Sequence, residues 1–235
     1  MTTIAVCQLE LSIGDLAANA AATERAVAQA AAQDSDLVVI PELSDTGYVF
    51  ASAAEARELA SPVAGHPALR RWQELAGRHR TVIAGGFCEL GSDGLLYNSA
   101  AVVDESGTLA GADLIAAPVN WPAAAVPAGE RPAEVVKVQA SASTNGVFIA
   151  VADRCRDERG VSWVGGSLIA GPSGYPLAGP VLADQPAVLT ARCDLAAAAD
   201  KRITAHNDVL ADRRPGLYGP VTGEHATGQP VADAR

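Results

Sequence analysis

Residues 36–48 read DLVVIPELSDTGY. Leu37–Ile40 is a short, wholly apolar run that stops at Pro41, the pattern of a strand buried on both faces. Glu42 therefore stands just beyond the carboxyl end of a buried strand, where α/β enzymes place their chemistry. A carboxylate there is either a general base or a strand-end acid that accepts backbone hydrogen bonds, and the segment alone leaves both open.

Working outward, Ile4–Leu9 reads as a strand and Leu16–Ala32 as an alanine-rich helix that Asp15 can cap. Ala51–Leu59 and Pro67–His79 carry helical patterns, the second with Leu69, Trp72, Leu75 and Ala76 on one stripe. Thr81–Glu89 and Leu95–Val103 form a predicted hairpin through Gly91, Ser92, Asp93 and Gly94, and a second turn follows at Asp104–Gly107. Leu114–Ala117 repeats the theme of a short apolar run stopped by a proline, here Pro118. A helix over Glu134–Ser143 and strands over Val147–Asp153, Trp163–Ala170 and Ala187–Asp194 complete the set. Strand–helix units mixed with hairpins define an α/β class with helices covering the sheet faces. With no internal repeat, one domain over 1–216 is the economical count. From about Pro215 the chain is rich in Gly and Pro, and 217–235 is expected to be an extended or disordered tail.

Composition narrows the partners. The 235 residues carry 17 basic and 27 acidic side chains, a formal net charge of −10. Neither a nucleic-acid backbone nor an anionic membrane suits that balance as the main partner. Alanine supplies 49 of the residues and aromatics are only 4%, so Val, Leu, Ile and Ala must build the core. There is no export signal at the N-terminus and no run long enough to span a membrane, which predicts a cytoplasmic location. Cys7, Cys88, Cys155 and Cys193 are far apart and read as reduced thiols. The four histidines, His66, His79, His206 and His225, are equally scattered, so neither a metal nor another cofactor is implied. The glycine pairs Gly85–Gly86 and Gly165–Gly166 lie at or in predicted strands, where close packing explains them better than phosphate binding does.

Several stretches, in order, carry a family resemblance. VVIPELSDTGY (38–48) resembles the first signature of the nitrilase superfamily, the carbon–nitrogen hydrolases. Leu96-Tyr97-Asn98-Ser99 with VVDESGTLAG (102–111) resembles that family's hairpin, and GADLIAAPVNWP (111–122) the segment after its nucleophile. VFIAVADRCRDERGVSWVGGSLIAGPSG (147–174) is similar to its late strand pair, and ADKRITAHNDVLADRRPGLY (199–218) to its C-terminal hallmark. The resemblance implies a four-layer αββα sandwich, assembled as a homo-oligomer, that hydrolyses small-molecule amides or nitriles without a cofactor. It also implies a mechanism with three parts: a cysteine thiolate attacks the substrate carbon, a glutamate moves protons, and a lysine offsets the developing charge.

Glu42 matches the glutamate. The matching Asn-Trp of the family lies near the pocket, so Asn120 and Trp121, which follow Pro118, are candidate substrate-wall residues, with a structural turn as the alternative. The lysine and the cysteine have no counterpart. In the family both lie between segments that are fused here near 109–112, and roughly sixty to seventy residues are missing by comparison. The sandwich should therefore be incomplete by at least one central strand and helix, leaving backbone groups unpaired or apolar faces uncovered unless the sheet rearranges. Of the two lysines, Lys137 and Lys201, neither matches the catalytic position. Cys155 is the most interesting thiol, since Arg154 and Arg156 would lower its pKa, although a small residue at a strand end is the simpler account. The expectation is a hydrolase relative that is inactive as written. The alternative is a non-catalytic binding or assembly subunit that pairs with a complete homologue.

Overall fold

A computed structural model describes residues 1–103, 114–205 and 207–208. The turn at 104–107, the fusion at 109–112, His206 and the tail over 217–235 lie outside the described residues, as does the family segment beyond 208. Contacts divide the chain into two units, Met1–Asp200 and Lys201–Arg235.

The first unit contains strands β1 (Thr2–Glu10), β2 (Leu37–Val39), β3 (Val82–Leu90), β4 (Leu96–Val103), β5 (Leu114–Pro118), β6 (Phe148–Ala152), β7 (Arg154–Cys155), β8 (Ser167–Ala170), β9 (Pro176–Val181) and β10 (Ala187–Cys193). Its helices are α1 (Leu16–Ala31), α2 (Ala53–Leu59), α3 (Pro67–His79) and α4 (Ala133–Asn145). One sheet has the order β10-β1-β2-β3-β4, with β7 alongside the end of β1, and the other has β5-β6-β8-β9. The pairs β1–β2, β2–β3 and β5–β6 are parallel. In the second unit β11 (Arg202–Thr204) pairs antiparallel with β12 (Asn207–Asp208).

Alternation along the strands builds the layers. Ala5, Cys7, Leu9 and Val38 face α1 and α3, whereas Ile4, Val6 and Val39 face the second sheet and meet Phe148, Ala150 and Ile169. On the far side of that sheet Ile149, Val151 and Leu168 pack against Val135 and Ala142 of α4. The order of layers is α, β, β, α, and the predicted stripe on α3 is buried as expected. Asp15 caps α1 by accepting from Ala18 N, and Ser52 caps α2 by accepting from Glu55 N. No helix among the described residues is long and apolar enough to cross a membrane.

The strand expected over 163–170 starts only at Ser167. Gly165 and Gly166 have φ of +71° and +70°, a left-handed backbone that no strand can use. The edge strand β9 was not foreseen, because its Gly-Pro content reads as a turn; an edge with register shifts tolerates both residues.

The corner of the sandwich between the edge strands β4 and β5 is thinly covered. Ala101 and Val103 of β4 pack toward the helix-side core, but Asn98, Ala100 and Val102 on the inter-sheet face are exposed, Val102 at 47%. On β5, Leu114 and Ala116 pack between the sheets, while Ile115 on the opposite face is 48% exposed.

Close packing accounts for Gly85 and Gly86. A Cβ on Gly86 would stand 2.6 Å from Glu42 Cα, and one on Gly85 would stand 2.5 Å from Ile40 Cγ1. Gly86→Ala should lower the urea midpoint by the equivalent of about 1–3 kcal/mol. The control Gly77→Ala, in open space on α3, should raise stability by about 0.5–1 kcal/mol. Equal midpoints for the two variants would contradict this packing.

Candidate active site

Glu42 follows the last residues that β2 shares with β3. Ile40 N donates to Ala84 O (2.9 Å), Gly86 N to Pro41 O (3.1 Å) and Ser44 N to Gly86 O (2.9 Å), so the main chain is tied to β3 on both sides of the glutamate. Leu43 then takes a left-handed φ of 45° although it is buried and not glycine. Such a conformation persists only where its surroundings over-determine it. Glu42 is half-buried, and its Oε1 accepts a hydrogen bond from Asn98 Nδ2 of β4.

The following acid of the same loop turns the other way. Asp45 accepts from Cys88 N (3.2 Å) and lies 3.5 Å from His66 Nε2 on the helix side of the sheet. Burial raises its pKa, against the His66 charge and the backbone N–H groups that lower it. This acid is part of the packing between the loop, β3 and α3.

The second sheet brings its own strand ends to Glu42. Asn120, two residues after β5, is buried and its Nδ2 donates to Glu42 O (3.0 Å). Trp121 is half-buried, but its indole packs against the α4-side core; its main-chain N–H is the group that reaches inward, to Asp153 Oδ1 (3.1 Å). Asp153 itself stands immediately after β6, as Glu42 stands after the Leu37–Ile40 run, and is completely buried. It also accepts from Arg154 N (2.8 Å), and its own N–H donates to Ser167 Oγ (2.9 Å). Burial pushes its pKa up to about 8; the Arg154 and Trp121 N–H groups and the Arg154 charge pull down, and the Glu42 charge adds to the rise.

A buried ion pair braces this arrangement. Arg154 and Glu158 are both buried, with Nη2 to Oε1 at 2.8 Å and Nη1 to Oε2 at 3.2 Å. Arg154 Nη2 also donates to Leu11 O (2.6 Å), and its guanidinium lies 4.8 Å from the Trp163 ring centroid. Glu158 Oε2 accepts from Tyr48 N (2.9 Å) and Val49 N (2.7 Å), closing the loop that begins at Glu42. Gly47 makes this approach possible, because a Cβ there would stand 2.6 Å from Glu158 Oε1.

No thiol is prepared as a nucleophile. All four cysteines are free and buried. Burial drives Cys7 up to about 12 and, reinforced by the Asp45 charge, Cys88 up to about 11; burial alone drives Cys193 up to about 11. The flanking arginines do not lower Cys155 as expected. Burial and the charges of Asp184 and Glu10 outweigh them and push this thiol up to about 12. Lys137 is exposed on α4, 3.8 Å from Glu134.

Sequence reasoning missed Asp153, Asn98, Arg154 and Glu158. Asp153 was open to the rule that found Glu42, an acid directly after a doubly buried run. Asn98 stood inside a quoted motif, and nothing local showed that β4 would carry it to Glu42.

The arrangement is a four-layer α/β sandwich with acids at its strand ends. A family model for carbon-nitrogen hydrolase matches residues 3–117. A nitrilase from Pyrococcus abyssi is 27% identical over 270 residues, covering 93% of this chain and 99% of that protein. An N-carbamoylputrescine amidase from Arabidopsis thaliana is 36% identical over 96 residues, 40% of this chain and 31% of the relative. Among solved structures, a double mutant of the amidase from Nesterenkonia sp. AN1 in complex with acrylamide superposes with a TM-score of 0.75 at 20% identity. The match covers 94% of this chain and 97% of that one. A single mutant of the same amidase, described as from the nitrilase superfamily, gives 0.74 at 20% identity over the same shares. Residues 3–117 match the carbon-nitrogen hydrolase family, and the fold of the chain is that of amidases of the nitrilase superfamily.

The raised Asp153 carboxyl has a consequence for stability. Its pKa rises from 3.8 to about 8 on folding, so the contribution that favours the folded state is fully present below pH 3.8 and is lost as pH rises toward about 8. Asp153→Asn removes this term. The stability of the variant relative to the parent should rise across that window, read as urea midpoints at matched pH. A constant difference would contradict the shift.

Proposed function

We propose that this chain is a carbon–nitrogen hydrolase of the amidase/nitrilase type that retains the glutamate of the catalytic centre, Glu42, and lacks the thiol and the lysine that would act with it. The observation that carries this reading is the company Glu42 keeps. Asn98 and Asn120 hold it, Asp153 lies close enough for their charges to interact, and each of the four thiols is buried and driven toward its protonated form. Within Met1–Asp200 the one lysine is Lys137, on the exposed side of α4. A thiol held well above neutral pH supplies almost no thiolate, and without a fixed cation the charge of a tetrahedral intermediate has no counterpart. The alignment with the Pyrococcus abyssi nitrilase supports a loss of residues, since at 270 residues it is longer than the whole chain.

In this reading Glu42 is the base that remains, Asn120 fixes its main chain and lines the wall, and the main chain of Trp121 carries the wall on to Asp153. Small amides and nitriles are the substrate class the centre would accept, in a cytoplasmic homo-oligomer. The exposed inter-sheet face of β4 favours a second reading, a non-catalytic subunit whose open corner is covered in an assembly with a complete homologue.

The test uses acrylamide and fluoroacetamide, both of which add to the active-site cysteine in structures of the Nesterenkonia amidase mutants. Incubation of the native 235-residue protein should give no adduct by intact-mass spectrometry and no ammonia release from propionamide. A single adduct mapped to one cysteine, with turnover that Glu42→Gln abolishes, would overturn the inactive reading.

A further inference from the structure

Of the seven buried side-chain polar atoms without a hydrogen-bond partner among the described residues, Gln8 Oε1, Ser35 Oγ and His66 Nδ1 lie apart from one another, and the other four fall in one region. These are Asn120 Oδ1, Asp153 Oδ2, Arg154 Nε and Trp163 Nε1, and all four belong to the segments that meet at the carboxyl ends of β5 and β6. A buried polar atom without a partner costs about 1–3 kcal/mol, so such a concentration calls for a cause. Asp153 is completely buried and Asn120 is 6% exposed. Both are oriented by their other atoms: Asp153 Oδ1 is taken by Trp121 N and Arg154 N, and Asn120 Nδ2 by Glu42 O. What remains free is one oxygen on Asn120, one on Asp153, and the Glu42 carboxylate beyond its bond to Asn98.

We infer that Asp153 is a further ligand-binding residue of this site, a carboxylic acid that keeps its proton on Oδ2 and donates it to the carbonyl oxygen of a bound primary carboxamide, whose N–H groups Asn120 Oδ1 and Glu42 accept. This rests on the reading of Glu42 above and adds to it a donor that is neither a lysine nor a main-chain group. A primary carboxamide fits because it offers one acceptor oxygen and two N–H donors in a single plane. A carboxylate ligand would meet the Glu42 charge, and an alcohol has one donor for two acceptors. Burial keeps the Asp153 proton in place up to about pH 8. The charged groups that face Asp153 are Glu42 from the loop after β2 and Arg154, itself paired with Glu158; Asn120, Trp121 and Ser167 from β5 and β8 are neutral. A protonated carboxyl in a dry site serves as a strong donor, a role open to an acid only when its pKa is raised.

The experiment is a titration of the full chain with propionamide, followed by saturation-transfer NMR. Binding should weaken about tenfold between about pH 6.5 and about pH 9.5, as the donor becomes a carboxylate that repels the carbonyl oxygen. Asp153→Asn, which keeps a donor that does not titrate, should bind within about threefold of the parent at the lower pH and show no pH dependence. Asp153→Leu should bind about tenfold more weakly. Parental binding that is flat with pH, unimpaired binding by Asp153→Leu, or no saturable binding to the parent would each overturn the inference. Glu42→Gln separates this from the preceding reading: a thiol adduct or turnover that survives that substitution defeats the role of Glu42 and leaves the Asp153 binding curves as predicted.

Discussion

The Arg154–Glu158 pair is the interaction on which the geometry of the site depends. Two opposite charges in a buried position cost several kcal/mol each to desolvate, and their attraction offsets this only when every remaining polar atom is satisfied. Here nearly all of them are. The guanidinium also donates to Leu11 at the end of β1 and stacks on Trp163, while Glu158 takes two main-chain N–H groups from Tyr48 and Val49. Three segments that are far apart in sequence are thereby fixed to one another, and the loop between Glu42 and Val49 has both ends held. Its near end is set by Gly86, which lets β3 approach Glu42 Cα, and its far end by Gly47, which lets Glu158 approach.

That frame explains why one short loop can carry two acids with different roles. Glu42 looks between the sheets, to Asn98 and to the strand ends of the second sheet, whereas Asp45 looks toward the helices and is absorbed by Cys88 N and His66. The left-handed Leu43 lies between them and makes the reversal. The second sheet answers with Asn120 and Asp153, each just past a parallel strand, so residues from three strand ends gather with Asn98 of β4. Around it the sandwich is uneven. Its α1 and α3 side is covered by helices, and the β4–β5 corner leaves Val102 and Ile115 half-exposed. Val102 lies on the inter-sheet face and still meets solvent, whereas Ile115 lies on the opposite face of its sheet.

Much of the frame was legible in the sequence, for reasons that can be stated residue by residue. The run Leu37–Ile40 before Pro41 is apolar without alternation because both of its faces are covered, and that pattern located Glu42. The stripe Leu69, Trp72, Leu75 and Ala76 marked α3, and the glycine pairs marked close contacts. What stayed hidden depends on long-range pairing. Arg154 and Arg156 flank Cys155 and suggest an electropositive thiol, but Arg154 turns inward to Glu158, and burial with Asp184 and Glu10 decides the outcome for the thiol. The meeting of Asn98 with Glu42 requires the antiparallel register of β3 and β4, and the environment of Asp153 requires two sheets to be stacked; neither is written in local periodicity. The edge strand β9 was concealed by residues that disfavour a strand only when it has neighbours on both sides.

The proposed function requires Glu42 to be present in a chain without the stretch that its relatives would carry between the hairpin and β5. Trypsin has no site between Arg80 and Arg131, and the Arg131–Pro132 bond resists cleavage, so the junction lies in a single long peptide, Thr81–Lys137. Peptide mapping of the protein from its native source should find that peptide intact. Its replacement by shorter peptides, among them new ones that carry a lysine and a cysteine, would contradict the account and make the protein a complete enzyme of its family.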